Sequence, residues 1–169
     1  MNCVSFKFWG RAIALFCFCL GLSFLSGKGA IALVHTYPES STQVMYRSQQ
    51  SLRDAQDQAW QAVLFKRTKQ DVVDSLHLRL VGFPGRVELN HPKALRMTTG
   101  DGEVFIAPDV SDEAPELVNV GEYDFLEVMS RLEQDPPLRL SLPLRGGRVV
   151  DLLVPPFVVR EWHQLLKAS

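Results

Sequence analysis

The sequence predicts an α+β domain that is mostly antiparallel β: a small sheet or sandwich of about seven or eight short strands with two helices packed on it. Three observations carry this. Leu76–Val81 (LHLRLV) alternates apolar and polar residues with the period of a half-buried strand. Two glycine-bearing turns, near Gly100 and Gly146, each separate a pair of strand-like runs. Two late segments repeat apolar residues at helical spacing, and no alternating βαβ pattern precedes them.

The elements follow in order. Residues 33–41 have little pattern and read as a flexible N-terminal arm, before a single β-rich domain over 42–169. Gln43–Arg47 is a short strand. Arg53–Gln58 (RDAQDQ) is polar and suits a turn. Trp60–Arg67 (WQAVLFKR) reads as a strand because it is short and rich in aromatic and β-branched residues. Lys69–Asp74 is the next turn, and Gly82-Phe83-Pro84-Gly85 ends the strand at Leu76–Val81. Val87–Leu89 is a short strand candidate.

Ala94–Thr98 and Glu103–Ala107 flank Thr99-Gly100-Asp101-Gly102. A two-residue loop at Gly100-Asp101 pairs Met97 with Val104 and Leu95 with Ile106, which groups four apolar residues on one face. Asp109 to Asn119 is an acidic loop. In the second hairpin, Leu138–Leu144 and Arg148–Val154 flank Arg145-Gly146-Gly147. A two-residue loop sets Leu142 opposite Asp151 and mixes the faces. A three-residue loop sets Leu142 opposite Val150, Leu140 opposite Leu152 and Leu138 opposite Val154, making one face wholly apolar. The longer loop is therefore expected, with Gly147 in the left-handed region. Pro143 then belongs where no ladder N–H is needed.

Tyr123–Gln134 is expected to be helical. Phe125, Val128, Met129 and Leu132 form its stripe, and Pro136-Pro137 stops it. Phe157–Leu166 is the second helix, opened by Pro155-Pro156, with Val158, Glu161, Trp162 and Leu165 on one side.

The first 32 residues differ from the rest of the 169. Lys7 and Arg11 precede an uncharged run from Ala12 to Gly27, and Ala30-Ile31-Ala32 follows as a small-x-small pattern. This is the layout of a cleavable signal peptide. The run falls short of the roughly 20 apolar residues a spanning helix needs, so a retained N-terminal anchor is the weaker reading. Cleavage removes Cys3, Cys17 and Cys19, leaving a chain without thiol or disulfide chemistry. It also removes Lys7, Arg11 and Lys28, leaving 15 basic against 19 acidic residues, a net −4. That balance argues against nucleic-acid binding, which depends on clustered Lys and Arg.

Catalytic signatures are absent from the sequence: no HExxH, EF-hand loop, GxSxG, SxxK, P-loop or dinucleotide fingerprint occurs. His35, His77, His91 and His163 are scattered, with no second ligand at close spacing. No catalytic, metal or cofactor residue is assigned. Asp109, Asp112, Glu113 and Glu116 offer oxygen ligands of the kind calcium takes, though charged loops are commonly just solvated. Ser141 and Asp151 are expected as neighbours across the second hairpin. The candidate interaction surface consists of Trp60, Lys66, Arg67, Arg79, Arg139, Arg145 and Arg148, since Trp and Arg are enriched where proteins bind one another.

Several strings resemble a cyanobacterial exported family, a domain of unknown function with no established activity. They are Ser51-Leu52-Arg53-Asp54, Ala59-Trp60-Gln61, Val63–Arg67, Leu76–Gly85, Asn119–Asp124 and Pro137–Trp162. The resemblance covers nearly all of the domain. It implies an exported protein of a photosynthetic bacterium, in the periplasm or thylakoid lumen, and supplies no catalytic residue. The expected function is a non-enzymatic binding or accessory domain acting on a protein partner at the envelope or thylakoid membrane. A small-molecule or lipid carrier and a hydrolase with an unrecognised site are the rivals. Oligomeric state is not legible.

Overall fold

The computed structural model describes residues 35–40, 43–70, 72–111 and 117–168, with side chains from Val44 onward. The expected signal peptide at 1–32 and the acidic positions Asp112, Glu113 and Glu116 lie outside the described residues. The fold class is the expected one: two antiparallel sheets and two helices.

The described residues form nine strands rather than seven or eight. One of two strands not expected, β1 (His35–Ser40), lies in the segment expected to be a flexible arm. It pairs with β2 (Gln43–Arg53), Thr36 opposite Tyr46. An open edge leaves alternate backbone groups unpaired, and β1 supplies their partners. β2 also runs six residues beyond the expected Arg47. Its polar Ser48-Gln49-Gln50-Ser51 stretch hid the strand period, although Ser48 and Leu52 are buried. The turn that follows spans 54–58, closed by an Asp57 N–H donating to the Asp54 carbonyl at 3.0 Å.

β3 (Ala59–Lys69) contains the expected strand, and β4 (Val72–Val81) begins inside what looked like a longer turn. Val87–Leu89 contributes only a bridge from Leu89 to Leu144. β5 (Leu95–Thr99) and β6 (Val104–Ala107) form the first hairpin, one residue out of the expected register. Met97 sits opposite Phe105, and Leu95 opposite Ala107. The loop holds three residues, because Gly102 takes the left-handed conformation at φ +92°. Phe105 and Ala107 therefore enter the core, while Val104 and Ile106 face solvent.

β7 (Val120–Asp124) occupies the first two positions of the expected first helix. Tyr123 pairs with Leu78 of β4, so sheet pairing overrides helix propensity there. The helix proper is α1 (Leu126–Arg131), where the Asp124 carboxylate accepts the Leu126 N–H at 3.0 Å. β8 (Leu138–Pro143) and β9 (Val149–Val154) follow the expected three-residue register. Both Gly146 and Gly147 are left-handed. Pro143 lies beyond the reach of β5, whose pairing with β8 covers 138–141, so its missing N–H costs no bond. α2 (Pro156–Lys167) ends the described fold.

Sheet A has the order β1-β2-β3-β4-β7, and sheet B the order β6-β5-β8-β9. They join along both borders. A bridge from Asp54 to Leu152 ties β2 to β9, and one from Asp109 to Tyr123 ties the chain after β6 to β7. Between them lies one contiguous core. Sheet A contributes Trp60, Leu64, Leu76, Leu78 and Leu80, and sheet B contributes Leu95, Met97, Leu140, Leu142 and Leu152. Each such buried Leu stabilises the fold by about 2 kcal/mol relative to exposure. Phe125 meets Trp162 edge-on at 5.7 Å, locking α1 to α2. α2 covers the core side of β2 and β3, where Gln50 Nε2 donates to Glu161 Oε2 at 2.7 Å.

Candidate interaction surface

The seven expected surface residues fall in four places. Trp60 and Lys66 are buried and belong to no surface. They occupy even positions of β3, which face the core. Trp60 Nε1 donates to Asp54 Oδ2 at 3.1 Å. That carboxylate also accepts the Gln56 and Gln58 N–H groups, both at 2.9 Å. Burial alone raises the Asp54 carboxyl, but these three donors outweigh it and hold it below the usual range. Lys66 Nζ donates to the Leu166 carbonyl at 3.1 Å and to that of Ala168, and stands 4.6 Å from the Tyr46 ring centroid. A cation there meets the negative end of the α2 dipole. Its burial lowers the ammonium from its ordinary value.

Arg139 lies on the outer face of sheet B, 3.7 Å from Asp151. Arg145 and Arg148 lie at the tip of the second hairpin, where Arg145 approaches Glu88 at 3.4 Å. Arg67 and Arg79 come together on the outer face of sheet A.

The strand registers assemble that face. Arg47, Phe65, His77 and Asp124 form one row across β2, β3, β4 and β7, and Gln49, Val63, Arg79 and Glu122 form the next. Phe65 points away from the core yet is only 4% exposed. Its cover is cationic. The Arg67 guanidinium stands 5.0 Å from the ring centroid, that of Arg79 stands 5.3 Å away, and the His77 ring meets it edge-on at 5.6 Å. Arg47 sits directly opposite on β2. A guanidinium over an aromatic face is held by the ring quadrupole.

Glu122 positions half of this group. Its Oε2 accepts from Arg79 Nη2 at 2.7 Å and Nε at 3.0 Å, and its Oε1 meets His77 Nδ1 at 2.7 Å. Burial pushes the carboxyl up, but the bonds from Arg79 and His77 prevail and its pKa is lowered. Glu122 was missed in the sequence, since 43 residues separate it from Arg79. The same is true of the other histidine partners. His91 meets Asp109 at 2.7 Å, and His163 meets Asp135 at 2.7 Å. Nothing local marks such pairs; only their adjacency in the fold does.

The face carries Arg47, Arg67, Arg79 and His77 beside the acids Glu122 and Asp124. Among the described residues, no group of three or more His, Cys, Asp or Glu side chains is placed to hold a metal. Of the calcium candidates, Asp109 is engaged by His91 and by the Ser111 N–H. Ser141 does donate to Asp151, at 2.6 Å, on an exposed face. A groove of about 500 Å³ opens at the surface beside Thr98, Gly100, Pro137 and Leu153. No described helix is long and apolar enough to cross a membrane.

Neither a curated protein nor a solved structure matches the chain. A family model described as a protein of unknown function (DUF3122) matches residues 32–165, nearly all of the β-rich fold and both faces of sheet A. The chain belongs to the DUF3122 family.

Proposed function

We propose that this DUF3122 protein is a non-enzymatic binding or accessory domain that docks an acid-rich segment of a protein partner on the outer face of sheet A. The observation that carries the reading is Phe65, kept on the solvent side of a strand under two guanidinium groups. A stray surface phenylalanine would be left exposed; this one is covered, with Arg67 and Arg79 packed against its ring. Arg79 already gives Nε and Nη2 to Glu122, so a partner carboxylate would reach its remaining guanidinium donors. An arginine held in place loses little entropy on that pairing.

The place of action is proposed as the periplasm or thylakoid lumen of a photosynthetic bacterium. The charged start, apolar run and Ala30-Ile31-Ala32 pattern support export. The carrier reading draws no support from a core filled by packed side chains with open grooves at the surface.

The test is affinity recovery from the native membrane and soluble envelope fractions. Tagged wild type is expected to retain one stoichiometric partner. The Arg67→Ala/Arg79→Ala double variant is expected to lose it, and Arg148→Ala at the hairpin tip is expected to keep it. A partner that survives the double variant, or recovery of the protein alone, contradicts the proposal.

A further inference from the structure

His77 stands within the arginine face of sheet A, and its two ring nitrogens meet different surroundings. Nδ1 lies 2.7 Å from Glu122 Oε1. A carboxylate only accepts, so Nδ1 carries a proton in this contact. Burial raises the Glu122 carboxyl, but the bonds from Arg79 and His77 outweigh it, and Glu122 stays ionised through the neutral range. Nε2 has no partner among the described residues and is not sealed from water. In the neutral ring Nε2 therefore turns a lone pair, not a donor, toward solvent.

The strand registers set the charges around this ring. On β7, Asp124 is directly opposite His77 and Glu122 is diagonal to it. On β3, Phe65 is opposite and Arg67 diagonal. Arg79 follows two residues on along β4, and Arg47 of β2 lies beyond Phe65 in the same row. Three arginines thus share the face with two carboxylates. A neutral His77 leaves that group with one positive charge in excess, and an imidazolium doubles the excess. Histidine is the side chain that changes charge between about pH 5 and 8.

We infer that His77 makes the grip of this face on carboxylates pH-dependent. With Nδ1 committed to Glu122, the proton comes and goes at Nε2, which turns from a lone pair that repels a carboxylate into a charged donor that binds one. The inference rests on the proposed docking of an acid-rich segment and adds its regulation. Glu122 at one edge and the Phe65 ring, edge-on at 5.6 Å, hold the imidazole, so the donor is in place when the proton arrives. Charge-assisted bonds of this kind are the strong ones. The segment is therefore held more tightly in mild acid and released as pH rises toward 8. By linkage, a bound segment also raises the affinity of the ring for its proton.

Fluorescence anisotropy of a labelled hexaglutamate peptide, titrated with the protein as purified from its own cells, makes the test. Ionic strength is held constant from pH 8 to pH 5.5, a range in which glutamate side chains stay largely ionised. Wild type is expected to bind roughly tenfold more tightly at pH 5.5 than at pH 8. His77→Gln is expected to bind at both pH values as wild type does at pH 8. In wild type alone, ring ¹⁵N signals are expected to show Nδ1 protonated throughout, Nε2 titrating, and that titration moved to higher pH by the peptide. Equal binding at both pH values overturns the role of His77 and leaves the docking proposal standing. So does a pH dependence that survives His77→Gln, or a His77 titration that the peptide does not move. A peptide that binds at no pH contradicts the docking proposal itself, and this inference with it.

Discussion

At the scale of single residues, the informative positions are polar groups that the fold has drawn out of water. Asp54 gathers an indole N–H and two backbone N–H groups at the end of β2. Removing one partner of a buried bond leaves the others unsatisfied, and each such group costs about 1–3 kcal/mol. Asp54→Ala is therefore expected to lower the unfolding free energy by about 2–3 kcal/mol, measured by urea titration. Trp60→Phe frees one acceptor and also leaves a cavity where the buried indole packed, so it is expected to cost a comparable amount.

The carboxyls of Asp54, Glu122 and Asp135 are all held below their ordinary values. In Asp135 the bond from His163 is the leading cause, followed by that from Arg160. A depressed folded value means the unfolded chain binds the proton more readily. The stability these groups supply is present above an unfolded value of about 4 and lost as pH falls through the folded values. Denaturation midpoints are expected to hold from pH 7 to 5 and to drop below pH 4. In Glu122→Gln that drop should be smaller. A midpoint that rises on acidification contradicts the assignment.

At the scale of elements, the two hairpins show what is legible in a sequence and why. In the second hairpin the alternative register set Leu142 against Asp151, so burial of one face left a single solution, and the structure has it. In the first, both registers grouped apolar residues together. Val104 and Ile106 look as much like core as Phe105 and Ala107, and only the left-handed Gly102 decides between them. Two matched substitutions test this. Gly102→Ala and Gly147→Ala each force a methyl-bearing residue to positive φ, and each is expected to cost about 1 kcal/mol.

The stripe of Phe125, Val128, Met129 and Leu132 located α1 correctly, since all four are buried. Its start was placed too early because Tyr123 joins β4 through backbone bonds that no local pattern records, and its end too late, since the helix stops at Arg131 with extended backbone at Leu132, before Pro136-Pro137. β1 was missed for the same reason. Lys66 was misread as a surface cation. Its alternation parity pointed inward, but the carbonyls that satisfy it come from residues 100 and 102 positions away. Lys66→Met is expected to speed amide exchange across Leu165–Ala168 selectively, as the last turn of α2 loses its buried cation.

At the scale of the whole molecule, the two sheets share a core and present unlike outer faces. Sheet A shows a fixed, cationic aromatic platform. Sheet B shows the exposed Ile106, Val149 and Leu153 beside Arg96, Arg139, Ser141 and Asp151. The sequence located two arginines of the first face, Arg67 and Arg79, but scattered the remaining five positions of the expected surface over core, sheet B and hairpin tip. Cross-strand neighbourhood depends on register, and register over β2, β3 and β4 became defined only once β2 was known to run to Arg53. Both arginines pack against the Phe65 ring, and Arg79 is also tied to Glu122.

Site-specific photo-crosslinking in the native cells tests the central claim most directly. A photoreactive residue replaces Gln49, which is exposed on the outer face of sheet A next to Val63 in the row beside Phe65. A second protein carries it at Arg148 on the hairpin tip. The account predicts that the Gln49 position captures one dominant chain through an acid-rich peptide, that added salt reduces the yield, and that the Arg148 position does not capture it. Capture at Arg148 alone, or no capture at Gln49, would contradict the claim that this face is where the protein works.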